Sequence, residues 1–284
     1  MIRLLVSDVR FVLGMVVLAL IGGMAVLAPL VAPADPVAQG DVLITRFIAP
    51  LTVGPDGTLH WLGTDALGRD VLSRLVYGAR ISLTVGVLSV GVALALGTVI
   101  GIAAAVLGGV VDRLLMAVTD TALAIPRIVL LLALVALWEP SLTLVVVVLG
   151  LTGWMTVARL ARAELKGILT RPYIDAAQAA GLDRPRLVAR HLLPNALTPV
   201  IVAAALGVGN AIMLEAGLSF LGLGIPAPAP SWGNMIASGR EALVNAPWIA
   251  TFPGLAIAIA VVACNLLGDG IRDALDPHTR ERAG

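Results

Sequence analysis

The stretch ISLTVGVLSVGVALALGTVIGIAAAVL, residues 81–107, contains no charged side chain and consists largely of Val, Leu, Ala and Gly. An α-helix rises about 1.5 Å per residue, so this run reaches about 40 Å, more than the roughly 30 Å of hydrocarbon in a bilayer. It predicts a membrane-spanning helix that tilts or begins outside the bilayer. Its many small residues predict close packing against neighbouring helices.

Five further apolar runs are long enough to cross a bilayer, at residues 11–32, 114–138, 141–158, 196–214 and 248–267. The composition agrees, since 59% of the 284 residues are hydrophobic, 13% are charged and the mean hydropathy is +0.99. Soluble domains are far less apolar. The alternating ten-residue pattern of membrane β-barrels is absent from the sequence. We therefore predict an all-α integral membrane protein with six transmembrane helices.

The distribution of Lys and Arg predicts the orientation of the chain. Six crossings leave both termini on one side of the membrane. If that side is the cytoplasm, its segments hold thirteen Lys and Arg residues and the opposite segments hold five. This asymmetry predicts cytoplasmic termini, with residues 33–80 and 222–247 outside the cytoplasmic membrane.

The segment 33–80 is rich in Pro and Gly, which predicts turns. At its end, apolar residues recur at helical spacing between charged ones: Val71, Leu72, Leu75 and Val76. This pattern predicts an amphipathic helix at the membrane interface that leads into the second span. The chain is thus expected to divide into an N-terminal tail with the first span (1–32), an outer segment with an interfacial helix (33–80) and a core domain (81–284).

A polar and basic segment, RPYIDAAQAAGLDRPRLVARHLLP at residues 171–194, follows the fourth run. Pro172 suits the first position of a helix, and Gly181 supplies a left-handed stop. Asp183 can cap a second short helix that runs to a break at Pro194. One face of the first helix carries small and aromatic residues at i, i+3, i+4 and i+7, namely Tyr173, Ala176, Ala177 and Ala180.

Two interpretations of this segment follow from its residues. Small side chains let the surface of another protein approach the backbone closely, and the flanking Arg residues can pair with carboxylates, which favours a docking segment. An ordinary cytoplasmic loop is also basic. The residues alone leave both interpretations open.

Three landmarks of the segment resemble the EAA loop of permeases in binding-protein-dependent ABC importers: Asp175-Ala-Ala, Gly181 and the ending His191-Leu-Leu-Pro194. That loop has Glu-Ala-Ala, a Gly four residues after the second Ala, and a hydrophobic-Leu-Pro ending, so Asp175 here replaces a Glu. Further blocks are similar to the C-type permeases of dipeptide, oligopeptide and nickel importers, at residues 62–82, 215–224, 230–233 and 265–277.

The resemblance implies a permease subunit that moves peptides, or a similar small solute, across the cytoplasmic (inner) membrane of a prokaryote. The implied partners are a second homologous permease, two ABC ATPase domains and an extracytoplasmic substrate-binding protein. It also implies that the chain binds no cofactor, while ATP and Mg²⁺ belong to the ATPase subunits. The expected coupling loop is 159–195, and its expected contacts with the ATPase are Tyr173, Asp175, Ala176, Ala177, Ala180, Gly181, Arg186 and Pro194.

The sequence offers no catalytic or metal-binding motif. The only lysine, Lys166, has no glycine-rich phosphate loop ahead of it. The three histidines are scattered, with no second His or Cys near any of them to complete a metal site. A basic face with aromatic residues, as nucleic-acid binding requires, is also absent. We therefore expect a transport subunit that is not an enzyme and whose surroundings are lipid and partner proteins.

Four polar residues stand within or near the predicted spans, as candidates for a transport pathway or for structural roles: Asp120, Arg127, Asn210 and Glu215. Asp120 and Arg127 are two turns apart on the predicted third span. Three interpretations remain open: the two residues form an ion pair, Arg127 snorkels toward the membrane surface, or they contact the transport pathway. Charges inside a membrane are costly and mark functional sites. The alternative function is a stand-alone proton- or ion-coupled secondary transporter that uses Asp120, Arg127 and Glu215 as its relay.

Overall fold

The computed structural model describes residues 8–55, 57–179 and 181–275. Within them the protein is almost entirely helical, as predicted, with one short hairpin. The elements in chain order are α1 (Val9–Val26), α2 (Ala28–Val31), α3 (Val42–Thr45), β1 (Thr52–Val53), β2 (Leu59–His60), α4 (Val71–Leu107), α5 (Gly109–Ala124), α6 (Arg127–Val135), α7 (Leu142–Leu169), α8 (Pro172–Ala179), α9 (Arg184–Leu187), a π-helical turn (Val188–Leu192), α10 (Leu193–Phe220), α11 (Trp232–Gly239), a 3-10 turn (Arg240–Ala242) and α12 (Trp248–Leu275).

The helices α1, α4, α7, α10 and α12 are each long and apolar enough to cross a membrane. The predicted third span at 114–138 is not a single helix. It consists of α5 and α6, which meet at an angle of 85°. Pro126 disfavours helical backbone at Ile125, which is extended at φ −81° and ψ 127°. The described residues thus hold five single-helix candidates for a span, and six if this bent pair counts as one span.

Helix α4 begins ten residues before the predicted second span. Asp70 caps it by accepting a hydrogen bond from the Ser73 backbone N–H. The first turns are buried by protein, since Val71 and Ser73 have no exposed surface and Arg74 is 4% exposed. The predicted interfacial helix and the second span are thus one element, and the expected boundary at residue 80 lies inside it. The apolar run follows Arg80 directly, with no Pro at the junction to end the helix.

Buried ion pairs stabilise the segment that precedes α4. The Arg69 guanidinium lies 2.7 Å from the Asp65 carboxylate, and Arg74 lies 3.5 Å from it. His60 Nδ1 lies 3.1 Å from Asp70 Oδ1, so strand β2 is tied to the start of α4. These contacts join residues 60–74 into one ordered segment at the start of α4.

Helices α4 and α7 approach each other at glycine residues. A Cβ atom on Gly101 would lie 2.7 Å from both the Ala158 carbonyl oxygen and the Ala161 Cβ. A Cβ on Gly97 would lie 2.6 Å from the Trp154 carbonyl oxygen. The spacing of Gly97 and Gly101 is that of the GxxxG motif, which lets membrane helices pack backbone against backbone. The close packing predicted for the run 81–107 is therefore confirmed.

Helices α1, α10, α11 and α12 complete the bundle. Gly14 of α1 lies against the backbone of α12 near Ala263, and Arg10 pairs with Asp273 at 2.5 Å. Trp232, at the start of α11, is 2% exposed and donates its indole N–H to the Leu75 carbonyl at 3.0 Å. Helix α11 is thereby fixed against both α4 and α12.

Candidate functional site

The segment between α7 and α10 is folded onto the ends of two long helices. Ile174 of α8 is fully buried, together with Leu187 and Leu192 from the following turns. They pack with Leu165 of α7 and Ala105 of α4 in one apolar cluster. Burial of each such side chain stabilises the fold by about 1.5–3 kcal/mol. The segment therefore shares a small apolar core with the ends of α4 and α7. Any displacement of α8 must act on the ends of α4 and α7.

The predicted contact residues of α8 divide between the surface and this core. Asp175 and Ala176 are exposed, and Tyr173 is 42% exposed. Ala177 is half-buried and turns toward the apolar cluster, because it lies three residues after Ile174 on the inner face. Ala180, the fourth member of the predicted face, lies outside the described residues.

Gly181 ends α8 as its position in the sequence predicted. Its φ is +83°, a conformation that residues with a Cβ rarely adopt. The Leu182 N–H donates to the Ala177 carbonyl at 3.1 Å, the bond expected for a glycine-terminated helix. A Cβ at Gly181 would meet no atom within 4 Å, so the surface beside it is open.

The cap predicted at Asp183 is present, since its side chain accepts from the Arg186 backbone N–H at 3.3 Å and its carbonyl accepts from Leu187. Arg186 is exposed and also lies 3.7 Å from the Asp183 carboxylate.

The predicted break at Pro194 is absent. A π-helical turn carries the chain directly into α10. In this turn the Leu193 N–H donates to the Val188 carbonyl, five residues earlier, and the next residue is Pro194, which has no N–H to donate.

Asp120 and Arg127 lie on different helices and bind different partners, so the pair considered on one helix is not formed. Asp120 is exposed and lies 2.5 Å from Arg159 of α7. The bend at Pro126 turns Arg127 toward the middle of α7. There its guanidinium donates to the Leu149 carbonyl at 3.2 Å and reaches the Thr152 hydroxyl at 3.5 Å.

Glu215 has no exposed surface and joins three elements. Its carboxyl group accepts from Ser219 of α10 at 2.8 Å, from Ser231 at 2.9 Å and from Ser82 of α4 at 3.4 Å. Since Asp120, Arg127 and Glu215 each bind separate partners, they do not form the relay on which the secondary-transporter alternative depends.

Arg127 and Asn210 come together at a cavity of about 380 Å³ between α4, α7 and α10. Most of its lining is apolar, and Asn210 is exposed to it. The polar side chains in the lining are Ser89, Arg127, Thr156 and Asn210. The structure therefore unites two of the four polar residues and separates Asp120 and Glu215 from them.

Two features of this region were not predicted from the sequence. Asp112 of α5 is buried and pairs with Arg162 and Lys166 of α7, with Lys166 Nζ at 2.6 Å. Ile174 is the anchor of α8. The only sequence signal for Ile174 was its apolar character within a polar segment, and nothing near Asp112 marks a partner fifty residues away.

Comparison with known proteins gives the family of the chain. Residues 97–281 match the family described as the inner membrane component of binding-protein-dependent transport systems. The dipeptide transport system permease protein DppC of Alkalihalophilus pseudofirmus is 43% identical over 78% of this chain and 73% of that protein. The di/tripeptide transport system permease protein DppC of Pseudomonas aeruginosa is 41% identical over 95% of this chain and 88% of that protein.

Solved structures support the same fold. An inward-facing structure of the MetNI methionine ABC transporter superposes with a TM-score of 0.61 at 21% identity, over 72% of this chain and 97% of that chain. A second crystal form gives 0.60 at 20% identity. The family match and the curated relatives together establish a multi-pass inner-membrane protein and favour a permease over a stand-alone carrier. The chain belongs to the family of inner-membrane components of binding-protein-dependent transport systems.

Proposed function

We propose that this permease imports di- or oligopeptides as one of two homologous membrane subunits, driven by two ABC ATPase domains and supplied by an extracytoplasmic binding protein. The observation that carries the peptide cargo is the 41% identity, over 95% of the chain, to a permease named for di- and tripeptides. Relatives in Sinorhizobium fredii and Brucella abortus are also named as peptide permeases, the first a probable and the second a putative one.

The ATPase contact is assigned to the surface that α8 and α9 present, with the coupling loop spanning residues 159–195. Tyr173, Asp175, Ala176 and Arg186 are exposed there, and the backbone at Gly181 is open. The buried Ile174 beneath this surface would deliver a movement of the ATPase to α4 and α7. Coupling requires such a contact between a docking surface and elements that have two arrangements.

In this assignment both termini and the coupling loop are cytoplasmic, and residues 33–80 and 222–247 face the binding protein. The chain itself hydrolyses no ATP and binds no cofactor. ATP and Mg²⁺ bind to the ATPase subunits, because the sequence has no glycine-rich loop to hold phosphate groups. Residues 81–284 act as the transport core.

Reconstitution tests the proposal. The chain is co-expressed with a candidate partner permease and ATPase subunits from its own genome, and the complex is placed in liposomes. We expect ATP-dependent uptake of a labelled dipeptide only when the binding protein and all subunits are present. A complex with a hydrolysis-deficient ATPase is the matched control. ATP hydrolysis by the chain without ATPase subunits, or peptide uptake that a proton gradient drives in their absence, would contradict the proposal.

A further inference from the structure

The cavity beside Arg127 lies near the centres of three long helices. Ser89 is the central residue of α4, Thr156 stands at the centre of α7, and Gly207 stands at the centre of α10. All three line the cavity. A site at this depth is surrounded by apolar helix, where a charged side chain is costly unless it has a partner or a role.

Arg127 is half-buried, and it differs from the other cations that are buried or half-buried in the described part of the chain. Arg69 and Arg162 each contact an Asp carboxylate. Arg127 contacts only the Leu149 carbonyl and, at 3.5 Å, the Thr152 hydroxyl, and it forms no ion pair with a described residue. A guanidinium has five N–H donors in a planar fork that matches a carboxylate. Several of these donors, and the whole charge, are therefore available at the cavity.

The local structure holds this guanidinium in place. Pro126 starts α6 so that Arg127 is its first residue, and no side chain caps the helix there. Gly153 of α7 leaves room for the guanidinium, since a Cβ at Gly153 would come within 3.3 Å of Nη2. The positive charge is thus fixed at one end of a mostly apolar space.

We propose that Arg127 binds the C-terminal carboxylate of the transported peptide as it passes between α4, α7 and α10. This inference rests on the proposed function. A volume of about 380 Å³ lies in the range of small-ligand sites, about 300–1,000 Å³. The carboxylate pairs with the guanidinium fork, the amide groups of the peptide meet the exposed Asn210 side chain, and the apolar walls accept side chains of differing size. Peptides of varied sequence share only their backbone and termini, so a fixed charge for the carboxylate serves them all.

Two structural roles for Arg127 compete with this one. The guanidinium also tethers α6 to α7 through Leu149, and a carboxylate of the second permease is a further candidate partner. Both roles predict that loss of the charge affects every solute equally. Binding of a peptide carboxylate predicts a loss that depends on whether the peptide has a free C-terminus.

Site-directed labelling separates these outcomes without the binding protein, which has its own preference for peptides. Thr156 is exposed in the cavity lining, so T156C in a C264A background gives one reactive position in this chain. The complete membrane complex in lipid nanodiscs is treated with a fluorescent maleimide, with alanyl-alanine or its C-terminal amide present. We expect alanyl-alanine to slow labelling and the amide to need a concentration about tenfold to a hundredfold higher, the ratio expected for one charge-assisted pair.

In the same background, Arg127→Gln should remove the difference between the two peptides, and Arg127→Lys should restore part of it. Arg159→Gln is the matched control, because Arg159 pairs with Asp120 at an exposed position, and the difference should persist. Equal protection by both peptides, or no protection by either, in the chain with Arg127 intact would overturn the inference without relying on any charge variant. Uptake of alanyl-alanine by the full importer would still uphold the proposed function in that case.

Discussion

Replacement of Gly181 tests whether the backbone turn after α8 is what presents the coupling surface. Gly181 has φ +83°, and a Cβ added there would meet no atom within 4 Å. The cost is therefore conformational, about 1–2 kcal/mol for a residue with a Cβ in the left-handed region. Loss of the Leu182–Ala177 hydrogen bond adds about 1 kcal/mol. A total of about 2–3 kcal/mol lowers the population of the native turn by a factor of about 30 to 150.

The expected result is that Gly181→Val and Gly181→Ala insert normally but bind the ATPase subunits poorly or hydrolyse ATP without uptake. Gly181→Asn is the matched control, because Asn tolerates the left-handed conformation. Pull-down of the ATPase through a tagged permease measures assembly, and the ratio of peptide uptake to ATP hydrolysis in proteoliposomes measures coupling. Wild-type behaviour of Gly181→Val would place the coupling contact elsewhere. Equal damage by Asn and Val would show that open space for the ATPase, and not the backbone turn, is the requirement.

Two further substitutions test the helix core. Glu215→Ala should lower the stability of the complex by about 3 kcal/mol, because three buried hydroxyls lose their acceptor. Glu215→Gln keeps an acceptor and should cost less. The stability is measured as Tm in detergent, and equal Tm values for the two variants would refute the network. Gly101→Leu should prevent stable assembly of α4 on α7, which size-exclusion chromatography would detect. Gly91→Leu is the control and should assemble as wild type, because a Cβ at Gly91 meets nothing within 4 Å. Normal assembly of Gly101→Leu would show that the glycine contact is dispensable.

The spans could be predicted from the sequence because hydropathy depends on composition alone. Where each helix begins and how it bends depend on single residues that such averages dilute. Pro126 lies within an apolar run and still produces the 85° bend between α5 and α6. The polar start of α4 resembles an interfacial helix in its periodicity. Inside the fold, however, Arg74 pairs with Asp65, and Asp70 accepts a hydrogen bond from the Ser73 N–H.

The coupling segment was predictable where its chemistry is local. Gly181 and Asp183 act on residues within a few positions of themselves, so a helix stop and a cap could be recognised. The roles of Ile174 and Asp112 depend on neighbours far away in the chain, and spacing carries no information about those. The same holds for Arg127: Asp120 was one of several possible partners on the predicted span, and the bend separates the two residues.

Helix α7 connects the two sites that matter for transport under the proposed function. Leu165 packs on Ile174 beneath the coupling surface, and Thr156 lines the cavity nine residues earlier, about 14 Å along the helix. The glycine contacts bring α7 and α4 into close packing, so the two helices are expected to move as one body. A displacement of α8 would then tilt both walls of the cavity together and change its shape at Arg127. Any change that separates α4 from α7 at Gly101 should therefore also separate ATP hydrolysis from uptake, although this contact lies in neither site.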